Sequence, residues 1–488
     1  ETTLDDEIER AVAGGKSVIL TGNPGDGKTH LLRVLERRLS SLSKPPVVVL
    51  DASSIRDEEL MERWKDAMSQ HRPFCAAINE AVLFGLADAY RSFEPLQEAV
   101  KQVTNAIVYD TETENDGANY NTVVYDLSHR NVLSEKIVNA VLDKMTDPNL
   151  LECDCPGRER CDFQINRALL RDATVRKRLQ VLLDRVARRG YHATLRELQA
   201  FVVYLLYGGR DCSRLLQTSG DMEYSFPQLP WLGVGRLFDQ IRDSFDPGQT
   251  THPIVDDMLV NGRLGVDTWV RGWRAEIGAI EPSNVTQIMA RRRAYYFCNK
   301  DGHKILDVAN DDETLFGEFL GSDSDKDLAR AIIRKVNAFF GAGTSSEDLR
   351  VWQSHRHGQS SRRILYSVTT VNRRAFEVVR PRLRDSMAKA FDLARDHVLF
   401  RLRNRHMAKL RLDFPMFQLL AQAERGVPVL FLDNDASRRL WTFMEMLSES
   451  INWNDDVTVT VMDPSSKRQL TVTVDGEARK YLEIRSTD

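Results

Sequence analysis

The sequence predicts an α/β fold: a parallel sheet built around a phosphate-binding loop, a helical lid, and a mixed α+β C-terminal region. Three observations predict it. A glycine-rich loop lies between a short apolar strand and an amphipathic helix, apolar strands alternate with helical segments up to residue 127, and from residue 134 the periodicity turns helical. Of the 488 residues 42% are hydrophobic, enough for folded cores, which excludes wholesale disorder. The longest apolar run, Ala200 to Tyr207, is far shorter than the roughly 20 residues of a membrane-spanning helix, so no membrane association is expected. The chain starts at Glu1 rather than Met, so a preceding segment stays open.

The first strand and helix frame the strongest motif. Gly22-Asn23-Pro24-Gly25-Asp26-Gly27-Lys28-Thr29 fits G-x-x-x-x-G-K-[ST], with Val18 to Thr21 as the strand before it and His30 to Leu39 as the helix after it. Glycines let backbone N–H groups close around phosphates, and the helix N-terminus adds positive potential. Lys28 can then reach the β and γ oxygens, and the Thr29 hydroxyl can ligate Mg²⁺. ATP and Mg²⁺ are the expected ligands.

Two later strands compete for the metal-directed carboxylate. Pro46 to Asp51 is an apolar run ending in Asp, the way a parallel strand presents a carboxylate at its C-terminal end, although only 23 positions separate it from Lys28 and Ala52 follows where a glutamate would polarise water. Phe74 to Glu80 is a second apolar strand ending in Asn79-Glu80. In one register Asp51 holds the metal and Asn79 positions water with Glu80 beside it. In the other, Asn79-Glu80 stands in place of an Asp-Glu pair.

Further strands are expected at Ala106 to Tyr109 and Thr122 to Leu127, with helices at Glu58 to Ser69 and Asn79 to Tyr90 and a polar surface loop over residues 111–121. Lid helices follow at Ser134 to Met145, Gln164 to Arg189 and Thr194 to Tyr207. The last opens with Thr194-Leu-Arg-Glu197, a capping box. Arg196 in its first turn opposes the helix dipole, which suggests that it faces an external anion; a solvated arginine is the alternative. The expected divisions are 1–130 for the α/β core, 131–218 for the lid, 219–345 for a mostly helical region, and 346–488 for a basic helical region ending in a β-hairpin.

The order of strand, phosphate-binding loop, helix, α/β sheet and small helical subdomain, with Arg196 in an Arg-Glu-Leu context, resembles the AAA+ ATPases over about residues 1–215. That resemblance implies ATP hydrolysis, a homo-oligomer, Arg196 as the sensor of the lid, and an arginine acting in trans, for which Arg91 and Arg130 are candidates beside a structural reading of each. The segments GNPGDGKT, LDAS, AINEAVL, the cysteine loop, HATLREL and RLDFPMFQLL are also similar to bacterial ATPases of anti-phage defence, notably the ATPase components of DNA phosphorothioation-linked modification and restriction systems. Protein partners from such a system are implied. The missing Asp-Glu pair departs from the AAA+ pattern and leaves a nucleotide-gated scaffold with little hydrolysis as the competing reading.

Cys153, Cys155 and Cys161 fall within nine residues, and with Cys212 or His192 could hold a structural Zn²⁺; free thiols are the alternative. Six cysteines in a chain this long fit a reduced, cytoplasmic protein better than a disulfide scaffold. Net charge is only −4, yet residues 350–411 carry 16 Lys and Arg against 4 Asp and Glu. Ser386 to Leu410 is expected as a long basic helix, and Val457 to Thr460 with Gln469 to Val474 as a late hairpin. This basic region suits DNA phosphates, a protein partner or a solvated face.

Overall fold

The computed structural model describes residues 3–109, 121–149, 161–217, 225–270, 279–306, 311–341, 346–356, 363–380, 391–392, 396–403, 405–427, 434–450, 456–462, 469–475 and 481–487. The chain forms two units, Glu1–Asn310 with Arg382–Ala394, and Asp311–Pro381 with Arg395–Asp488.

In the first unit, α1 (Thr3–Ala13), β1 (Ser17–Thr21), α2 (Lys28–Leu39), β2 (Val47–Val49), α3 (Asp57–Ser69), β3 (Phe74–Ala77), α4 (Glu80–Ala89), α5 (Glu94–Tyr109) and β4 (Thr122–Asp126) build a parallel sheet of order β2-β3-β1-β4. Both faces of the sheet are covered, which is why its strands read as unbroken apolar runs. Val18 and Leu20 of β1 join Ile8 of α1 and Leu32 of α2 in one core, while Ile19 joins Leu60 and Trp64 of α3 in the other. This period-two split fixes the strand register. Trp64 stacks on Phe74 with ring centroids 4.8 Å apart, and truncating it to alanine would cost about 3–5 kcal/mol.

Residues 106–109, expected as a strand, are the last turn of α5. Leu96, Ala99 and Val103 recur at helical spacing and are buried, so the longer period overrides the short β-branched run. The lid holds α6 (Glu135–Met145), α7 (Asp162–Leu169), α8 (Ala173–Arg188) and α9 (Leu195–Tyr207). The single helix expected over 164–189 is two helices, because the Asp172 carboxylate accepts the N–H groups of Thr174 and Val175 and starts α8 afresh. Leu142, Leu183, Leu198 and Phe201 of the lid share one core with Phe226, Trp231 and Phe297, so the expected division at 218/219 crosses a continuous packing layer.

The second unit contains β5 (Asp348–Arg356), β6 (Arg363–Asn372), β7 (Phe376–Val379), β8 (His397–Leu402), β9 (Arg405–Asp413), β10 (Asp456–Met462), β11 (Gln469–Asp475) and β12 (Tyr481–Thr487). They form an antiparallel sheet of order β12-β11-β10-β6-β5 and a smaller one of order β7-β8-β9. The helix Asp325–Phe339 packs Ile332 and Val336 into the same core as Trp352 and Leu412, so the expected boundary at 345/346 falls inside this unit. The expected basic helix over 386–410 is corrected: its described portion from His397 onward is the antiparallel pair β8 and β9. Arg401, Arg403, Arg405, Lys409 and Arg411 share one parity, and the intervening Ala408, Leu410 and Leu412 are buried, a strand alternation read as a helical pattern. The late hairpin forms as β10 and β11, joined by β12. Among the described residues no helix is long and apolar enough to cross a membrane.

Candidate nucleotide-binding site

β1 delivers the loop Gly22 to Thr29 to the C-terminal edge of the sheet, where α2 begins. Gly27 is the N-cap of α2 with φ 95° and no side-chain cap, so the first-turn N–H groups have no capping side chain. An uncapped helix start in a glycine loop is a cradle for an anion. The Lys28 ammonium donates to the carbonyls of Gly22 at 2.6 Å and Asn23 at 3.0 Å. Burial lowers its pKa, opposed by the carboxylates of Asp26, Asp126 and Asp51. Lys28 thus sits partly desolvated on weak acceptors that phosphate oxygens would outcompete.

The Thr29 hydroxyl donates to the Leu50 carbonyl at 3.3 Å, which places the hydroxyl suited to Mg²⁺ at the end of β2 beside Asp51. Asp51 is exposed and accepts the N–H of Ser53 at 3.0 Å. Asn79, at the end of β3, lines the same cavity, of about 650 Å³, together with Lys28, Thr29, Asp51, Lys144 and Arg196. Glu80 does not line that cavity. Its carboxyl is raised above the ordinary range by burial and by Asp126, with His129 opposing. The donors present, a hydroxyl and a free-edged carboxylate beside a phosphate cradle, fit Mg²⁺ held jointly with substrate phosphates.

The lid closes over the loop. Thr194 accepts the Glu197 N–H at 3.2 Å and Glu197 accepts the Thr194 N–H at 2.9 Å, forming the capping box of α9. The Arg196 N–H donates to the Gly25 carbonyl at 3.3 Å, and the exposed Arg196 side chain lines the phosphate cavity. Gly25 has φ 104°, and a Cβ there would come within 3.2 Å of the Arg196 Cβ, so loop and lid require glycine at this contact. A second cavity of about 570 Å³ shares Gly27, His30, Lys144, Leu195 and Gln199 with the first and is lined by apolar groups such as Leu31, Val34, Ile137 and Leu206. Its position and chemistry suit a nucleobase.

Two contributions lie outside the sequence reading, the link from Asp26 of the loop to the lid and the carboxylate of Asp126. Asp26, 1% exposed, accepts the Asn23 N–H at 2.6 Å and faces His192 Nε2 at 2.9 Å, joining the loop to the lid. His192, considered above as a fourth zinc ligand, is therefore engaged at the nucleotide loop instead. Asp126 ends β4 as Asp51 follows β2, each accepting the N–H of a serine two residues on; that shared Asp-x-Ser strand end was the available signal.

Cys153 and Cys155 lie outside the described residues. Cys161 is buried at the start of α7, Cys212 is exposed, both are free thiols, and no metal-holding group of side chains occurs among the described residues, so the structure lends zinc no support. Arg91 pairs with Asp88 on its own helix end, and Arg130 lines the base-side cavity of its own chain with its pKa lowered by burial.

The four-stranded parallel sheet with its loop and flanking helices is consistent with an AAA+-like P-loop fold. The family model described as Magnesium chelatase, subunit ChlI, an AAA+ family, matches residues 3–105, which include the loop, Asp51 and Asn79 and end before β4 and the lid. No curated protein and no solved structure matches the chain.

Proposed function

We propose that this chain is a Mg²⁺-dependent ATPase that couples nucleotide state to engagement of DNA or a protein partner, as part of an oligomeric bacterial defence or DNA-modification assembly. The observation that carries the ATPase reading is the placement of Thr29 next to Asp51 at the rim of a cradle formed by Lys28 and Arg196. Lys28 and the first-turn N–H groups of α2 bind the phosphates, Thr29 and Asp51 hold Mg²⁺, and Arg196 reads phosphate charge from the lid. When bound, Mg²⁺ supplies charge neutralisation at the β and γ oxygens. Asn79, which lines the cavity, orients water, with Glu80 beside it in sequence but outside the cavity lining. Asp51→Asn should abolish Mg²⁺-dependent turnover while leaving metal-free nucleotide binding within about threefold; retained turnover would remove Asp51 from the role.

The DNA arm rests on residues 350–411. Part of that positive charge is neutralised internally, Arg373 by Glu347 at 3.0 Å, Arg401 by Glu377 at 2.6 Å and Arg411 by Asp396 at 3.4 Å; Arg374 and Arg403 are exposed, Arg403 at 4.0 Å from the same Glu377. DNA contact through this region would be salt-sensitive, with fewer phosphates engaged than the raw count of basic residues suggests. The defence setting is supported by the motif similarity alone. One observation favours the scaffold reading: the residue after Asp51 is the buried Ala52, so no glutamate stands beside the metal carboxylate.

A further inference from the structure

The core on the α1–α2 face of the sheet draws its described buried residues from positions 4–127, with one exception, Phe391, which is 1% exposed. Phe391 lies in the sequence between β7 and β8, strands of the second unit, yet its segment belongs to the first. Its carbonyl accepts the Asn131 N–H at 2.9 Å. The next residue, Asp392, has φ 49°, in the left-handed region that aspartate enters more readily than most side chains. The Ser134 hydroxyl donates to Asp392 Oδ2 at 3.3 Å across 258 positions of sequence.

Ser134 is the N-cap of α6, a position where a serine normally turns its hydroxyl onto the first-turn N–H groups; here it makes no such bond. Its described bond is to Asp392. α6 forms a wall of the base-side cavity through Lys136, Ile137, Ala140 and Val141, and Arg130, next to Asn131, lines the same cavity. Phe391 and Asp392 therefore fix the segment 130–134 and with it the start of a helix that shapes the nucleotide pocket.

We propose that Phe391 and Asp392 are positioning residues for nucleotide binding, contributed by a segment that leaves the second unit and returns to it. The proposal rests on the nucleotide-site reading above. Phe391 fills the core that also holds Leu127, and Asp392 holds Ser134, so that α6 presents its apolar face to the base. Neither lines either cavity, so their influence falls on binding rather than on the chemical step.

The test uses the full chain and five variants: Ser134→Ala, Asp392→Asn, the two combined, Phe391→Leu, and Phe391→Ala as the severe case. A fluorescent ATP analogue gives affinity, steady-state hydrolysis gives KM and kcat, and thermal melts report folding. Ser134→Ala and Asp392→Asn should each raise Kd and KM about three- to tenfold with kcat within twofold, and the double variant should be no worse than either single. Phe391→Leu should stay near wild type, and Phe391→Ala should lose affinity, melt early or fail to fold. If wild type binds the analogue and the folded Ser134→Ala and Asp392→Asn proteins bind it equally well, or lose kcat instead, the positioning role is refuted while the nucleotide site stands. If wild type binds no nucleotide, both readings fall.

Discussion

Breaking the contact between His192 and Asp26 should loosen the lid from the phosphate loop and weaken ATP binding. Asp26 is buried at 1% exposure, and its two oxygens are used separately, Oδ2 by the Asn23 N–H at 2.6 Å and Oδ1 by His192 at 2.9 Å. A hydrogen bond to a charged acceptor contributes about 1.5–3 kcal/mol net. The His192 side chain is 22% exposed, which favours the lower end. About 1.5 kcal/mol corresponds to roughly tenfold in an equilibrium constant. Arg196 and Leu195 line the nucleotide cavity from the same lid segment, so the fraction of molecules with the lid seated enters the apparent affinity. Titration of a fluorescent ATP analogue against His192→Ala, Asp26→Asn and the double variant forms a double-mutant cycle. Each single change should cost about tenfold, and the double no more than a single, a coupling of about 1.5 kcal/mol. Strictly additive effects, with coupling below about 0.3–0.5 kcal/mol, would refute a direct link between loop and lid.

Gly25→Ala should reduce both thermal stability and ATP affinity, because a Cβ at φ 104° carries a left-handed backbone cost of about 1–2 kcal/mol and meets the Arg196 Cβ at 3.2 Å. Circular dichroism melts and nucleotide titration check it, and a neutral result would mean that the lid does not rest on the loop. Glu80→Gln should stabilise the protein at pH 8 and leave it unchanged near pH 4. Burial and Asp126 raise the folded-state pKa of Glu80 above an unfolded value of about 4.3. The folded state therefore retains a proton that the unfolded chain has released, and stability falls as pH rises through the raised value. The amide removes that loss, and melts at the two pH values show it. A stability gain of equal size at both would contradict the electrostatic cause.

Legibility in the sequence followed the range of the interactions. The phosphate loop, β1, α2 and the capping box of α9 are local patterns, each complete within a few residues, and were readable. Asp51 and Asn79 were visible as strand ends and Asp51 was expected to share Mg²⁺ with Thr29, but the contact that brings them together was not legible, because it depends on the pairing order β2-β3-β1 and on a bond from Thr29 to Leu50. Asp26 and His192 stand 166 positions apart, and Phe391 enters a core whose other described buried residues fall within positions 4–127, so no window of sequence holds either contact. Residues 397–410 were misread for a different reason. Charged residues of one parity alternate with buried Ala408, Leu410 and Leu412, and the strand period lost to the impression of a long basic helix.

Turnover decides between a motor and a scaffold. Steady-state ATP hydrolysis by wild type and Lys28→Ala, with and without duplex DNA at low and moderate salt, is the measurement to make. The Lys28 ammonium rests on the Gly22 and Asn23 carbonyls at the centre of the cradle, so its loss should reduce turnover at least a hundredfold, of the order expected when a preorganised electrostatic contact is removed. DNA should stimulate the wild-type rate, and added salt should weaken that stimulation. Wild-type turnover at background, or equal turnover in Lys28→Ala, would contradict ATP hydrolysis at this loop.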